Sequence, residues 1–155
     1  MTLNTFSLYL FGGTGDLSNR KLLPAMFRQE ILSTFDEESE IVGIGSKEIS
    51  SDEYISMVKE SLSNYFHGFD DHADSWAIFS KRLRYIKLDI NSEDDWINFE
   101  KLPEERSVIL YLATPPFLYK TISNNLKSYN LVNKNCRVVV EKPLGTNLET
   151  SNDIN

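Results

Sequence analysis

A single cysteine, Cys136, is all the thiol chemistry in this chain of 155 residues. An internal disulfide is therefore excluded, and the expected home is a reducing cytoplasm. Basic residues are also in short supply: 16 Lys and Arg stand against 23 Asp and Glu, a net charge of -7. That balance argues against nucleic acid or an anionic membrane as the main partner, so any phosphate site has to be built locally. Long hydrophobic runs are missing too. The longest reach about eight residues, well short of the roughly 20 that cross a bilayer as a helix. The opening MTLNTFSLYLF lacks the basic flank and extended apolar stretch of a signal peptide. The only histidines, His67 and His72, fall in the acidic segment HGFDDHAD, which reads as a loop with both rings solvated.

What is present suits one folded domain: 41% of the residues are hydrophobic, enough to bury a core. Five strand-like runs alternate with helical patterns. The runs are Phe6 to Phe11, Glu40 to Ile44, Leu83 to Ile90, Ser107 to Ala113 and Arg137 to Val140. The second, fourth and fifth are continuously apolar or β-branched, as parallel strands buried on both faces should be. The third alternates, with Ile86, Leu88 and Ile90 in register, and is expected nearer an edge. Between the runs, Ser50 and Glu53 form a capping box ahead of the stripe Ile55, Val58, Leu62 and Phe66. Ser92 precedes the acids of a short helix that carries Trp96, Phe99 and Leu102. Pro116 is expected to open a helix carrying Leu118, Ile122, Leu126 and Tyr129. Thr146 and Glu149 repeat the capping-box spacing, predicting a helix from Asn147 through Ile154 that is cut short, so the chain is expected to be a fragment of something longer. The fold class predicted is α/β: a Rossmann-like doubly wound, mostly parallel sheet, occupying residues 1–155 as one domain.

The chemistry concentrates where the first run stops, at Phe11-Gly12-Gly13-Thr14-Gly15-Asp16-Leu17-Ser18. A glycine-rich turn between a strand and a helix lets main-chain amides approach a pyrophosphate, and a side chain at Gly12 or Gly15 would block that approach. The spacing is G-x-x-G, short of the full G-x-G-x-x-G. A plain tight turn is the alternative that Gly-Gly would also serve. Thr14 offers a hydroxyl to a phosphate or caps the turn. Asp16 is expected to accept amides of the following helix, a structural role, and Pro24 to kink that helix. Run two ends in Gly43-Ile44-Gly45-Ser46-Lys47 with no acid before Glu48. NAD readers place an acid there for the ribose hydroxyl; Ser46 and Lys47 instead suit a 2′-phosphate, so NADP is favoured over NAD. Lys47 as an ordinary solvated lysine is the alternative. Runs four and five end in Thr114-Pro115-Pro116 and Glu141-Lys142-Pro143, the other walls of a crevice at the carboxyl ends of the strands. Lys142 is read as facing an active site, against the alternative of a surface lysine at a turn.

Three blocks resemble the N-terminal coenzyme domain of the glucose-6-phosphate dehydrogenase family: Phe11 to Leu17 with Arg20, Lys21 and Pro24; Tyr111 to Pro116 with Tyr119; and Val139 to Gly145. The resemblance implies that Gly12, Gly13, Thr14, Gly15, Asp16 and Leu17 hold the pyrophosphate. Asp89, Ile90 and Tyr119 would be lesser coenzyme contacts, and Lys142 would meet both coenzyme and sugar phosphate. The family's usual arginine for the 2′-phosphate falls at Ser46, with Lys47 beside it. The resemblance further implies a second α+β domain absent from this chain, a parent homo-oligomer, and a catalytic histidine in a D-H-Y-L-G-K motif. No such motif occurs here, so that histidine is expected beyond Asn155. The implied reaction oxidises glucose 6-phosphate at C1 to the lactone with hydride transfer to NADP, opening the pentose phosphate pathway; alone, this chain should bind coenzyme weakly and turn nothing over. Two rival readings are a sugar dehydrogenase of the glucose-fructose oxidoreductase type and a non-catalytic NADP-sensing module. No metal ligand set is apparent.

Overall fold

A computed structural model describes residues 3–141. Five strands, β1 (Phe6–Phe11), β2 (Glu40–Gly45), β3 (Leu83–Lys87), β4 (Ser107–Leu112) and β5 (Cys136–Val140), form one sheet in the order β3-β2-β1-β4-β5. Every adjacent pair is parallel. Parallel neighbours need crossovers, and the apolar stripes between the runs supply them as helices. Among these, α1 (Leu23–Ile31), α2 (Ser51–Tyr65) and α3 (Ala73–Arg82) pack on one face, where Leu23, Phe27, Tyr54, Val58, Leu62 and Phe79 meet Leu8, Leu10 and Ile41. On the other face α4 (Glu93–Ile97) and α5 (Tyr119–Ser128) bring Trp96, Ile122 and Leu126 against Tyr9, Phe11, Val42 and Leu110. Alternate residues of β1 thus serve two cores. Among the described residues, no helix is long and apolar enough to cross a membrane.

Local signals account for most element ends. Ser50 Oγ accepts from the Glu53 amide at 3.1 Å while Glu53 Oε1 accepts from the Ser50 amide at 3.3 Å, closing the capping box that starts α2. Ser92 Oγ accepts from the Asp95 amide at 3.2 Å and starts α4. Pro24 sits at the second position of α1, after a π-type turn over Ser18–Leu22 in which the Leu23 amide reaches Ser18 O. The widened turn is how the chain enters a helix that lacks the proline donor.

Several expectations need correction. β5 is an edge strand, with Val138 53% and Val139 38% exposed, and β4 is fully buried on one face only. The reason is placement: Val138 shares the face of Leu110, under α4 and α5, and Val139 the face of Tyr111, under α1 to α3, and neither layer of described helices reaches fully over the β5 edge. β3 does lie at the opposite edge, as its alternation implied, yet it ends at Lys87 rather than Ile90. Asp89 Oδ1 accepts from the Asn91 amide and Ile90 O from Trp96 Nε1, which turns the chain out of the sheet. Pro116 opens a 3₁₀ turn, Pro116–Leu118, and the α-helix begins only at Tyr119. The acidic loop is shorter than expected: 3₁₀ geometry covers Phe69–His72 and α3 follows from Ala73. His72 is not simply solvated, since its ring stands edge-on to Phe27 and Phe66 at 6.5 and 6.1 Å. The helix expected at 147–154 lies outside the described residues.

Candidate functional site

The carboxyl ends of β1, β2 and β4 frame a cleft of about 320 Å³. The glycine turn (Gly12, Thr14, Gly15) forms one wall, Gly45 and Ser46 a second, Leu88 to Asn91 a third, and Ala113 to Pro115 the fourth. Such a crevice forms here because the connections from β1 and β4 leave for opposite faces of the sheet, the switch point of a doubly wound fold.

Hydrogen bonding inside the turn differs from the simplest picture of bare glycine amides. The amides of Gly12 and Gly13 both donate to Ile44 O, each at 2.9 Å, and the Gly15 amide donates to Gly12 O at 2.9 Å. Ser18 Oγ donates to Gly12 O at 2.8 Å and Asn19 Nδ2 to Thr14 O at 3.1 Å. The glycine amides therefore build the turn. Left without a main-chain acceptor among the described residues are the amides of Thr14, Asp16, Leu17 and the buried Ser18, at the head of the first helical segment, where orphan donors and the helix dipole favour an anion.

Each glycine has a different reason to be glycine. Gly12 takes φ +84°, and a Cβ there would lie 2.8 Å from Ala113 O on the end of β4. Gly13 is buried against β2: its Cβ would sit 2.8 Å from Gly43 Cα. A Cβ on Gly15 would meet Gly12 O at 3.2 Å and nothing else within 4 Å, which keeps the turn open towards the cleft.

Of the other residues singled out in the sequence, Ser46, Asp89 and Ile90 line the cleft with Gly12, Thr14 and Gly15. Lys47 is exposed beside Ser46. Leu17 is half-buried, and Tyr119, only 2% exposed, packs in the core at the head of α5. Asp16 does not cap the helix: its side chain is exposed, and Oδ1 accepts from Arg20 Nε at 2.7 Å, one turn on. Ser18, not Asp16, fixes the turn: Ser18 is buried and donates to Gly12 O, while Asp16 points to solvent. Lys142 lies outside the described residues. Its neighbour Glu141 accepts a hydrogen bond from Tyr111 Oη, and burial together with that carboxylate pushes the Tyr111 phenol well above its ordinary value.

One cleft residue, placed in the crevice wall by the sequence, shows a feature that no local pattern signals. Thr114 lines the cleft, and its Oγ1 is buried without a hydrogen-bond partner among the described residues. A buried unpaired hydroxyl is a standing cost, of about 1 to 3 kcal/mol, that a ligand atom or water can relieve. The open amides, the cradle that a Gly12 Cβ would disturb and this orphan hydroxyl together fit a phosphate-bearing ligand with further polar groups.

Comparison with known proteins gives the same direction. Residues 9–155 match the model of the glucose-6-phosphate dehydrogenase NAD-binding domain. The chain is 35% identical over 153 residues to glucose-6-phosphate 1-dehydrogenase of Rhizobium meliloti, covering 97% of this chain and 31% of that protein. It is 36% identical over 159 residues to the enzyme of Dickeya dadantii, covering 99% and 32%. The chain thus spans about a third of the length of these curated relatives. Among solved structures, glucose-6-phosphate 1-dehydrogenase from Mycobacterium avium superposes with a TM-score of 0.86 at 29% identity, covering 97% of this chain and 32% of that one. A glucose-6-phosphate dehydrogenase in complex with glucose 6-phosphate gives 0.81 at 26% identity. With its parallel Rossmann-like sheet and glycine turn, the chain belongs to the glucose-6-phosphate dehydrogenase family and matches its NAD-binding domain.

Proposed function

We propose that residues 1–155 form the coenzyme domain of a longer, cytoplasmic glucose-6-phosphate dehydrogenase, a homo-oligomer, and that the cleft binds NADP in preference to NAD. The observation that carries this reading is the strand-to-helix turn, whose Thr14 and Gly15 line the cleft and whose Thr14, Asp16 and Leu17 amides find no main-chain acceptor among the described residues. There the pyrophosphate would lie over the turn, within reach of these donors and the dipole of the first helical segment. Gly12 and Gly13 would support it from beneath through Ile44 O, and Gly15 would keep the approach free. Thr114 Oγ1 would gain a partner from the bound molecule.

Preference for NADP rests on charge. No acid ends β2, Ser46 lines the cleft and Lys47 follows it, an arrangement that welcomes a phosphate better than a ribose hydroxyl. Asp89, Ile90 and Tyr119 would be lesser contacts. Two of these line the cleft; Tyr119 would act from the core behind it. Lys142 would stand between coenzyme and sugar phosphate. When bound, the nicotinamide supplies the hydride acceptor. This domain's share of the work is to bind, orient and shield it, while the base that takes the C1 hydroxyl proton would reside on the remainder of the longer protein.

Calorimetric titration of this chain with NADP and with NAD tests the proposal. NADP is expected to bind at least several-fold more tightly, and equal or reversed affinities would remove the preference. Amide protection on NADP addition should appear at Thr14, Asp16 and Leu17. Protection elsewhere only would move the pyrophosphate off the turn.

A further inference from the structure

Two buried tyrosines that belong to no motif connect the turn to the Ser46–Lys47 loop. Tyr54, on the first turn of α2 and 1% exposed, donates from Oη to Gly13 O at 3.1 Å. Its ring occupies the space above Gly43, where a Cβ would come within 2.3 Å of Tyr54 Cζ. Tyr85, on β3, packs its ring 5.2 Å from that of Tyr54 and donates from Oη to Lys47 O at 2.8 Å. The turn and Tyr85 meet at Gly45, whose Cβ position lies 3.0 Å from Tyr85 Oη and 3.3 Å from Thr14 Oγ1. Tyr85 is itself held at the start of α2, its amide donating to Ser51 Oγ at 3.0 Å.

We infer that Tyr54 and Tyr85 act as a two-armed clamp: Tyr54 holds the pyrophosphate turn, and Tyr85, through the Lys47 carbonyl, holds the loop that discriminates a coenzyme carrying a 2′-phosphate from one without it. The inference rests on the coenzyme reading above and adds two positioning residues to it. Neither tyrosine touches the coenzyme in this account. Each fixes a loop main chain through one hydrogen bond, so ordering that loop costs less when ligand binds. Burial pushes both phenols upward from their ordinary value, so both hydroxyls remain donors at neutral pH. The two arms should be separable, because the turn serves both coenzymes whereas the Lys47 loop serves only the 2′-phosphate.

The test is calorimetry on this chain with NADP and NAD for Tyr85→Phe, Tyr54→Phe and Lys47→Ala, alongside thermal melting. Tyr85→Phe is expected to weaken NADP about threefold to tenfold, the worth of one hydrogen bond, and to leave NAD within about twofold. Tyr54→Phe should weaken both coenzymes by similar factors. A selective loss in Tyr85→Phe supports the clamp whichever side chain of the loop meets the phosphate. Equal losses for both coenzymes, or none, in Tyr85→Phe while Lys47→Ala weakens NADP selectively would overturn the clamp and spare the coenzyme reading. No selective loss in either Lys47→Ala or Tyr85→Phe would overturn the 2′-phosphate site and the clamp together. Phenylalanine keeps the ring contact at 85, so melting should fall only slightly; collapse of the fold there would assign Tyr85 to the core and overturn its positioning role.

Discussion

At the amino ends of β2 and β3 the charged side chains are answered, whereas at the carboxyl ends several polar groups stand open. Arg84 is shared between Glu40 at 2.9 Å and Glu100 at 2.7 Å, while Ser7 Oγ and Tyr9 Oη donate to the same two carboxylates. Deeper still, Arg82 pairs with Glu30 at 2.6 Å and donates to the carbonyls of Asp36 and Ser39. Across the sheet, the amides of Thr14, Asp16 and Leu17 and the hydroxyl of Thr114 have no such partners among the described residues. One end is finished as structure. The other is a set of donors held in place for something that arrives later, and mutations should sort accordingly into losses of stability and losses of binding.

The sharpest break is expected at the paired end. Arg82→Met leaves Glu30 as an uncompensated buried charge and should cost about 3 to 5 kcal/mol in urea unfolding, with coenzyme affinity of the folded fraction unchanged. Pairing it with Glu30→Met should recover much of that loss. Gly12→Ala crosses the divide: it forces a left-handed φ on alanine and drives Cβ towards Ala113 O. It should cost about 1 to 3 kcal/mol of stability and, by displacing the turn, at least about tenfold in NADP affinity.

Arg84→Met should have a smaller, pH-dependent effect. Burial alone would raise the Glu40 carboxyl, but hydrogen bonds from Arg84 and Ser7 hold it below its ordinary 4.5, and the Arg84 guanidinium does the same for Glu100. Lowered folded values mean that the contribution is present above the ordinary value and lost as pH falls through the lowered one. The deficit of the variant, about 1 kcal/mol at neutral pH for a pair this exposed, should therefore shrink in acid. A deficit independent of pH would assign Arg84 to packing instead. Thr114→Val gives the smallest effect and the clearest contrast. Removing an unpaired buried hydroxyl should leave the free chain as stable, or up to about 1 kcal/mol more stable, while NADP affinity drops. Unchanged affinity would take Thr114 out of the site.

Much of the architecture was legible because it rests on short-range rules. The strand runs, the Ser50-Glu53 box and the Ser92 cap each announce themselves within four residues, and the glycine turn lies where a strand gives way to a helix. α3 was missed, although Trp76 and Phe79 are one helical turn apart, because the acids of HGFDDHAD dominate the reading of that stretch. The burial of β5 was misjudged because an apolar run reports what a strand can tolerate, not which helices cover it. In the site, Ser46, Asp89 and Ile90, singled out in the sequence, line the cleft, but the partners of Asp16 were not readable.

Sequence alone determined the alternation that makes a parallel sheet, the flexible turn at the first crossover, and the lack of an acid between the end of β2 and Glu48, since periodicity, turn chemistry and charge are local properties. Tertiary structure decided which amides of that turn are consumed and which stay open, where Thr114 Oγ1 is stranded, and how Tyr54 and Tyr85 reach Gly13 and Lys47 across 41 and 38 residues of chain. Hydrogen bonds over such separations exist only once the sheet has fixed its register, and no local pattern encodes them.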